Sequence, residues 1–149
     1  PLSLSQPEAY WSQVTKEFTW AKPHQKVLSG QFGDHVEWFS GAELNITVNA
    51  LDRHAQKTPN KIAIYFEPNQ VTGEKTQYTY SELLEKVCQF ANVLRSQGIQ
   101  KGDVVGFYMS MVPELLIGVL ACARLGAIHS VVFGGFSSQS LANRMQDSQ

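Results

Sequence analysis

The stretch that decides the fold is Asp103-Val104-Val105-Gly106-Phe107-Tyr108, then Pro113-Glu114-Leu115-Leu116, then Leu120-Ala121-Cys122-Ala123-Arg124-Leu125-Gly126. It closes with Ala127-Ile128-His129-Ser130-Val131-Val132-Phe133-Gly134-Gly135-Phe136-Ser137. It reads as strand, buried helix, strand, glycine turn and the start of another helix. Pro113 suits the first helical position, where its missing N–H costs nothing, and Glu114 suits the positive end of the dipole. The helix is apolar almost all round, so burial on most faces is expected, and Gly126 ends it. Ala127 to Phe133 has the composition of a parallel strand covered on both sides. The pattern is α/β and doubly wound, an architecture that binds ligands where strands hand over to helices.

Working backwards, Thr79-Tyr80-Ser81-Glu82 has capping-box spacing and opens a helix with Leu83, Val87, Phe90, Ala91 and Leu94 on one face. Gly98 is its C-terminal cap candidate. Ile62 to Phe66 and Lys75 to Tyr80 read as two strands of a hairpin with a long tip. Thr47 to Gln56 suggests a helix with Asn45 or Thr47 as cap, and residues 7–20 suggest another, with Trp11, Val14 and Phe18 in helical register. Residues 21–46 show no long period apart from a short strand at Val36–Phe39. Working forwards, Ser137 or Ser138 caps a last helix with Leu141, Ala142 and Met145. The sequence thus divides into a helical and irregular segment, 1–60, and the first α/β units, 61–149. Trp11, Trp20, Trp38, Phe18, Phe32 and Phe39 crowd the first segment; rings of that size are expected to pin it to a neighbouring body.

Composition narrows the function. The chain has 149 residues, 43% hydrophobic and 17% charged, and a formal net charge of −1. That is ordinary for a globular protein and offers no field for nucleic acid or an anionic membrane. The two cysteines, Cys88 and Cys122, fall in apolar helical patterns and read as reduced core thiols, which suits a cytoplasmic location. No signal peptide is visible, and the apolar run Leu115 to Ala123 is too short to span a bilayer.

Chemistry-bearing motifs are few. His24, His35, His54 and His129 do not sit at metal-ligand spacing with a cysteine or another histidine. His54 reads as a hydrogen-bonded helix residue, His129 as a satisfied core residue, and Arg144 with Asp147 as a solvated or interhelical pair. No G-x-S-x-G pattern occurs. The one local candidate for a ligand is Phe133-Gly134-Gly135-Phe136-Ser137. Two glycines let another group approach the backbone, and the helix after them offers amides that favour an anion. It lacks a P-loop lysine and the dinucleotide spacing, and a plain strand-to-helix turn uses the same residues.

A resemblance adds to this. Trp38-Phe39 ahead of Gly41, Leu44-Asn45, Asn49-Ala50-Leu51-Asp52-Arg53-His54, Tyr78 to Leu83, Gly98 to Asp103, Pro113-Glu114, Leu120 to Arg124 and the block Gly126 to Ser137 resemble the acetyl- and propionyl-CoA synthetase branch of the adenylate-forming ligases. The match runs from about residue 7 to 149, and the last block is the most specific part. Ser110 stands where the family usually has proline, and Ala50 where a cysteine is common. The resemblance implies the N-terminal part of the large ligase domain. It implies an AMP-forming acetate–CoA ligase using ATP, coenzyme A and Mg2+, with acetate, ATP and CoA as small-molecule partners and no nucleic acid or membrane. The phosphate loop, magnesium site, catalytic lysine and 3′-phosphate arginines of the family lie downstream, so no catalytic or metal residue is expected here and the 149 residues alone are expected to be inactive. It places Phe133, Gly134 and Gly135 at the adenine of coenzyme A. The α/β pattern stops one helix after the turn, so a truncated domain is expected to self-associate through its uncovered surfaces. Two rival readings stand beside this one: a propionate–CoA ligase, and a non-catalytic nucleotide-binding or interaction module.

Overall fold

The computed structural model describes residues 1–31 and 33–148, so Phe32 lies outside the described residues. The chain gathers into two compact units, Pro1–Asn49 and Ala50–Gln149. The sequence division at 60 follows the Pro59-Asn60 punctuation, whereas the compact units part earlier, inside a helical turn.

In the first unit, α1 (Leu2–Ser5) and α2 (Pro7–Val14) lead into a 3₁₀ turn, Thr15–Glu17. The helix is therefore shorter than the expected 7–20. Trp20 folds back, its indole N–H donating to the Thr15 carbonyl at 3.2 Å. A hairpin follows, β1 (Lys26–Gly30) against β2 (Val36–Ser40), antiparallel with Leu28 opposite Trp38. β1 was not legible as a strand, because Lys26-Val27-Leu28-Ser29-Gly30 is short and ends on a glycine. The aromatic residues pack on one another: Trp11 on Trp38 at 6.0 Å, Trp38 on Phe39 at 5.9 Å, and Trp20 on Phe39 at 5.7 Å. Within this unit the rings thus form a cluster of their own. Asn49 closes the unit, accepting from the Thr19 amide at 2.7 Å and donating to its carbonyl at 3.0 Å.

The expected helix at 47–56 is a wide π-helical turn, Val48–Asp52, running into α3 (Arg53–Lys57). Asn45 caps it, its side-chain oxygen accepting from the Thr47 amide at 2.9 Å. The second unit then holds β3 (Ile62–Phe66) and β4 (Thr76–Thr79), an antiparallel pair with Tyr65 opposite Gln77. α4 (Tyr80–Ser96) opens with the full capping box: Thr79 Oγ1 accepts from the Glu82 amide at 3.2 Å, and Glu82 accepts from the Thr79 amide at 2.8 Å. Those bonds, from the Thr79 backbone and then its hydroxyl, hold the Glu82 carboxyl below its ordinary pKa. Gly98 closes the helix in the left-handed region at φ 89°, while Ile99 N–H reaches back to the Leu94 carbonyl at 3.1 Å.

β5 (Val104–Met109), α5 (Pro113–Leu125) and β6 (Ile128–Phe133) form the expected crossover, with β5 and β6 parallel and Val104 beside Ile128 through Met109 beside Phe133. α6 (Ser138–Asp147) follows. Leu83, Val87, Ala91 and Leu94 of α4 bury against Phe107, Leu115, Ala121 and Cys122. α5 shows burial on most faces, as its composition requires. Burial also pushes the Cys122 thiol pKa up, and both cysteines are free.

β6 departs from the sequence reading. Among the described residues it pairs with β5 alone, and His129, Val131 and Phe133 are exposed while Val132 is buried. The register puts those three residues on the face that carries Val105, Phe107 and Met109 of β5. The buried cluster takes in Phe107, Val105 and Met109 but none of the β6 row. His129 is therefore an exposed strand residue and not a satisfied core one. On the other face Gly106 lies against Met145 of α6: a Cβ there would stand 2.6 Å from the Met145 sulfur.

Candidate functional site

The site at the end of β6 is built from the two strand ends and the turn between β6 and α6. The Gly134 amide donates to the Met109 carbonyl at 3.2 Å, extending the parallel ladder by one rung. The Phe136 amide donates to the Phe133 carbonyl at 3.0 Å, closing a four-residue turn with the glycines at its centre. Ser137 caps α6, its hydroxyl accepting from the Ser140 amide at 3.2 Å. The Tyr108 hydroxyl donates to the Phe136 carbonyl at 2.6 Å, reaching from the end of β5 to the far side of the turn.

The two glycines have different surroundings. Neither has a positive φ, so the backbone alone does not demand them. At Gly134 a Cβ would stand 3.3 Å from the Met109 carbonyl carbon and 3.4 Å from the Ser110 nitrogen, a tight fit against the end of β5 that a shift of a few tenths of an ångström would relieve. At Gly135 the atoms nearest a Cβ would be those of the Phe133 ring, with Cε1 at 2.8 Å. That ring is 57% exposed and Phe136 is 45% exposed. They meet edge to face at 6.3 Å, and the Arg144 guanidinium lies 5.4 Å from the Phe136 ring centre. Bare backbone, two exposed rings and one cation suit a flat aromatic group carrying negative charge.

The turn residues hold no nucleophile beside a base. His54 stacks on Tyr80 at 5.1 Å and accepts from Arg53 Nε at 3.4 Å. His24 packs among Trp20 and Phe39. Among the described residues no group of three or more His, Cys, Asp or Glu side chains could hold a metal ion. No helix of the described residues is long and apolar enough to cross a membrane. Sequence reasoning missed Tyr108, because its partner lies 28 positions away. It also put Arg144 with Asp147, where the structure places it over Phe136.

A family model described as an AMP-binding enzyme matches residues 51–149. The chain belongs to that family. A second model, the acetyl-coenzyme A synthetase N-terminus, matches residues 2–50. An acetyl-coenzyme A synthetase of Xylella fastidiosa is 47% identical over 148 residues, which are 97% of this chain and 23% of that protein. That of Desulfatibacillum aliphaticivorans is 45% identical over 149 residues, 99% of this chain and 23% of that protein. The solved acetoacetyl-CoA synthetase from Streptomyces lividans matches with a TM-score of 0.90 at 28% identity, covering 99% of this chain and 23% of its own. The chain thus spans about a quarter of the length of the relatives it matches. The α/β class and the resemblance to the N-terminal part of an adenylate-forming ligase stand on these matches.

Proposed function

We propose that the protein carrying these residues is an AMP-forming acetate–CoA ligase. The observation that carries the reading is the pair of family matches over residues 2–149, together with relatives at 45–47% identity that are acetyl-coenzyme A synthetases. In this chemistry the acetate carboxylate attacks the α-phosphate of ATP, and pyrophosphate leaves. The coenzyme A sulfur then attacks the carbonyl carbon of acetyl-AMP, AMP leaves, and the thiol proton passes to the medium. Mg2+ would offset phosphate charge in the first step, and no residue of this chain is assigned to it. The acyl pocket is likewise unassigned, so propionate is the rival substrate, and acetate and propionate are assayed side by side.

The role proposed for this chain is one side of the coenzyme A site, with the adenine at Phe133, Gly134 and Gly135. The exposed Phe133 ring and the bare Gly135 backbone support it. In the full-length enzyme, Gly135→Leu will raise the KM for coenzyme A about tenfold, a change of about 1.4 kcal/mol, and leave acetate-dependent ATP–pyrophosphate exchange near wild type. The residue has no positive φ, so the added side chain displaces the Phe133 ring without forcing the backbone. Equal losses in both half-reactions of a folded variant would refute the adenine role.

By itself the 149-residue chain is proposed to be inactive and self-associating. The described residues assemble no catalytic constellation, and β6 leaves exposed apolar side chains on both faces beside a strand edge, Val131 and Phe133 on one and Ile128 on the other. One preparation checks both points. Light scattering at tens of micromolar will report species larger than 16.6 kDa, and acetate, ATP, Mg2+ and coenzyme A will give no turnover above a boiled control. A clean monomer, or host-free turnover, contradicts the corresponding half.

A further inference from the structure

We propose that Tyr108 is a positioning residue for the coenzyme A site, acting through its hydroxyl on the glycine turn; the inference rests on the reading of that turn as the adenine contact. Glycines impose little conformation of their own, so a turn with two of them must be held from outside. Two of the holding bonds are backbone to backbone, Gly134 to Met109 and Phe136 to Phe133. They orient the peptides before and after the central Gly134–Gly135 peptide. The third is the Tyr108 phenol, which donates to the Phe136 carbonyl at 2.6 Å and so fixes the plane of the Phe136–Ser137 peptide.

That plane governs two features of the site. It sets where the Phe136 ring, 45% exposed, points relative to Phe133 and Arg144. It also sets the direction in which Ser137 enters α6 as its cap. Tyr108 is well placed for this. Its backbone is locked in β5 beside Val132, the buried member of β6, so the hydroxyl is referred to the rigid part of the sheet. A hydroxyl–carbonyl bond at a solvent-facing turn adds little to global stability but restricts the turn to one geometry, which is what a preorganised subsite needs.

The test uses full-length Tyr108→Phe, which deletes one oxygen and keeps the ring. Two thiol acceptors are compared, coenzyme A and pantetheine, which lacks the adenine nucleotide. The KM for coenzyme A will rise about fivefold, the scale of one neutral hydrogen bond. The KM for pantetheine, acetate-dependent ATP–pyrophosphate exchange and the melting temperature will stay at wild-type values. A parallel loss with both acceptors, or a fall in exchange together with melting temperature, would show a general structural role and overturn the proposal. Gly135→Leu in the same assays separates the two ideas. If it weakens coenzyme A alone while Tyr108→Phe changes nothing, the adenine site stands and the positioning role falls. If it affects both acceptors equally, the adenine site and the positioning role fall together.

Discussion

Gly118→Val will lower stability by about 3 kcal/mol, the upper part of the range for overpacking a tight core. Gly118 is buried on α5 and faces the Phe107 ring of β5, itself buried in the main cluster. A Cβ at Gly118 would stand 2.8 Å from Phe107 Cζ, and valine adds two methyl groups beyond it. Helix propensity pulls the other way, since glycine in a helix interior is worse than most residues by up to about 1 kcal/mol. The steric term wins because the obstacle is an aromatic ring buried in the main cluster, where Leu115, Ala121 and Cys122 are buried too. The loss would take a large part of the about 5–15 kcal/mol that holds a typical domain folded. Urea unfolding of the full-length protein or of the chain reads it as a lower midpoint. Phe107→Leu, introduced into Gly118→Val, will recover about 1 kcal/mol of coupling, because the shorter side chain yields the space the valine needs. Strict additivity of the two losses would show that the ring is not the obstacle.

What the sequence made legible was the part governed by local rules. The capping box at Thr79, the left-handed glycines at 98 and 126 and the β5–α5–β6 crossover all follow from residues within a few positions of one another. The rest depends on what lies next to what. Ala127 to Phe133 has the composition of a two-sided strand, yet exposure is decided by neighbours, and β6 has one paired strand among the described residues. The turn at Gly134-Gly135 was legible as a place where backbone is bare. The different surroundings of its two glycines were not, since one sits tightly against the end of β5 and the other under a ring. Tyr108 and Arg144 were invisible as site residues because both act on Phe136 through space.

A second large effect is expected at Asp52 and Arg124, a pair 72 positions apart that no local rule could have joined. Arg124 grips Asp52 with both guanidinium nitrogens, at 2.8 and 2.9 Å. The side chains are 18% and 29% exposed, so water screens the pair only in part. The geometry ties the π-helical turn before α3 to the last turn of α5, where a cation also meets the negative end of the helix dipole. Arg124→Met will cost about 2 kcal/mol, less than a fully buried pair, because Asp52 keeps its charge with its main partner gone. Asp52→Leu will cost a similar amount for the mirror reason. The double variant Asp52→Leu/Arg124→Met will be more stable than either single one, since no charge is then left without its counterpart and apolar area replaces both groups. The hydrogen bonds that Arg124 donates to the Asp52 carboxylate hold the Arg124 pKa above its ordinary value. The guanidinium's contribution is therefore complete below the ordinary arginine value and is lost only as pH climbs through the raised one. Urea midpoints of wild type and Arg124→Met will accordingly differ by the same amount at pH 7 and pH 9. A double variant no more stable than either single one would mean that the pair stabilises the fold outright and does not merely complete its own desolvation.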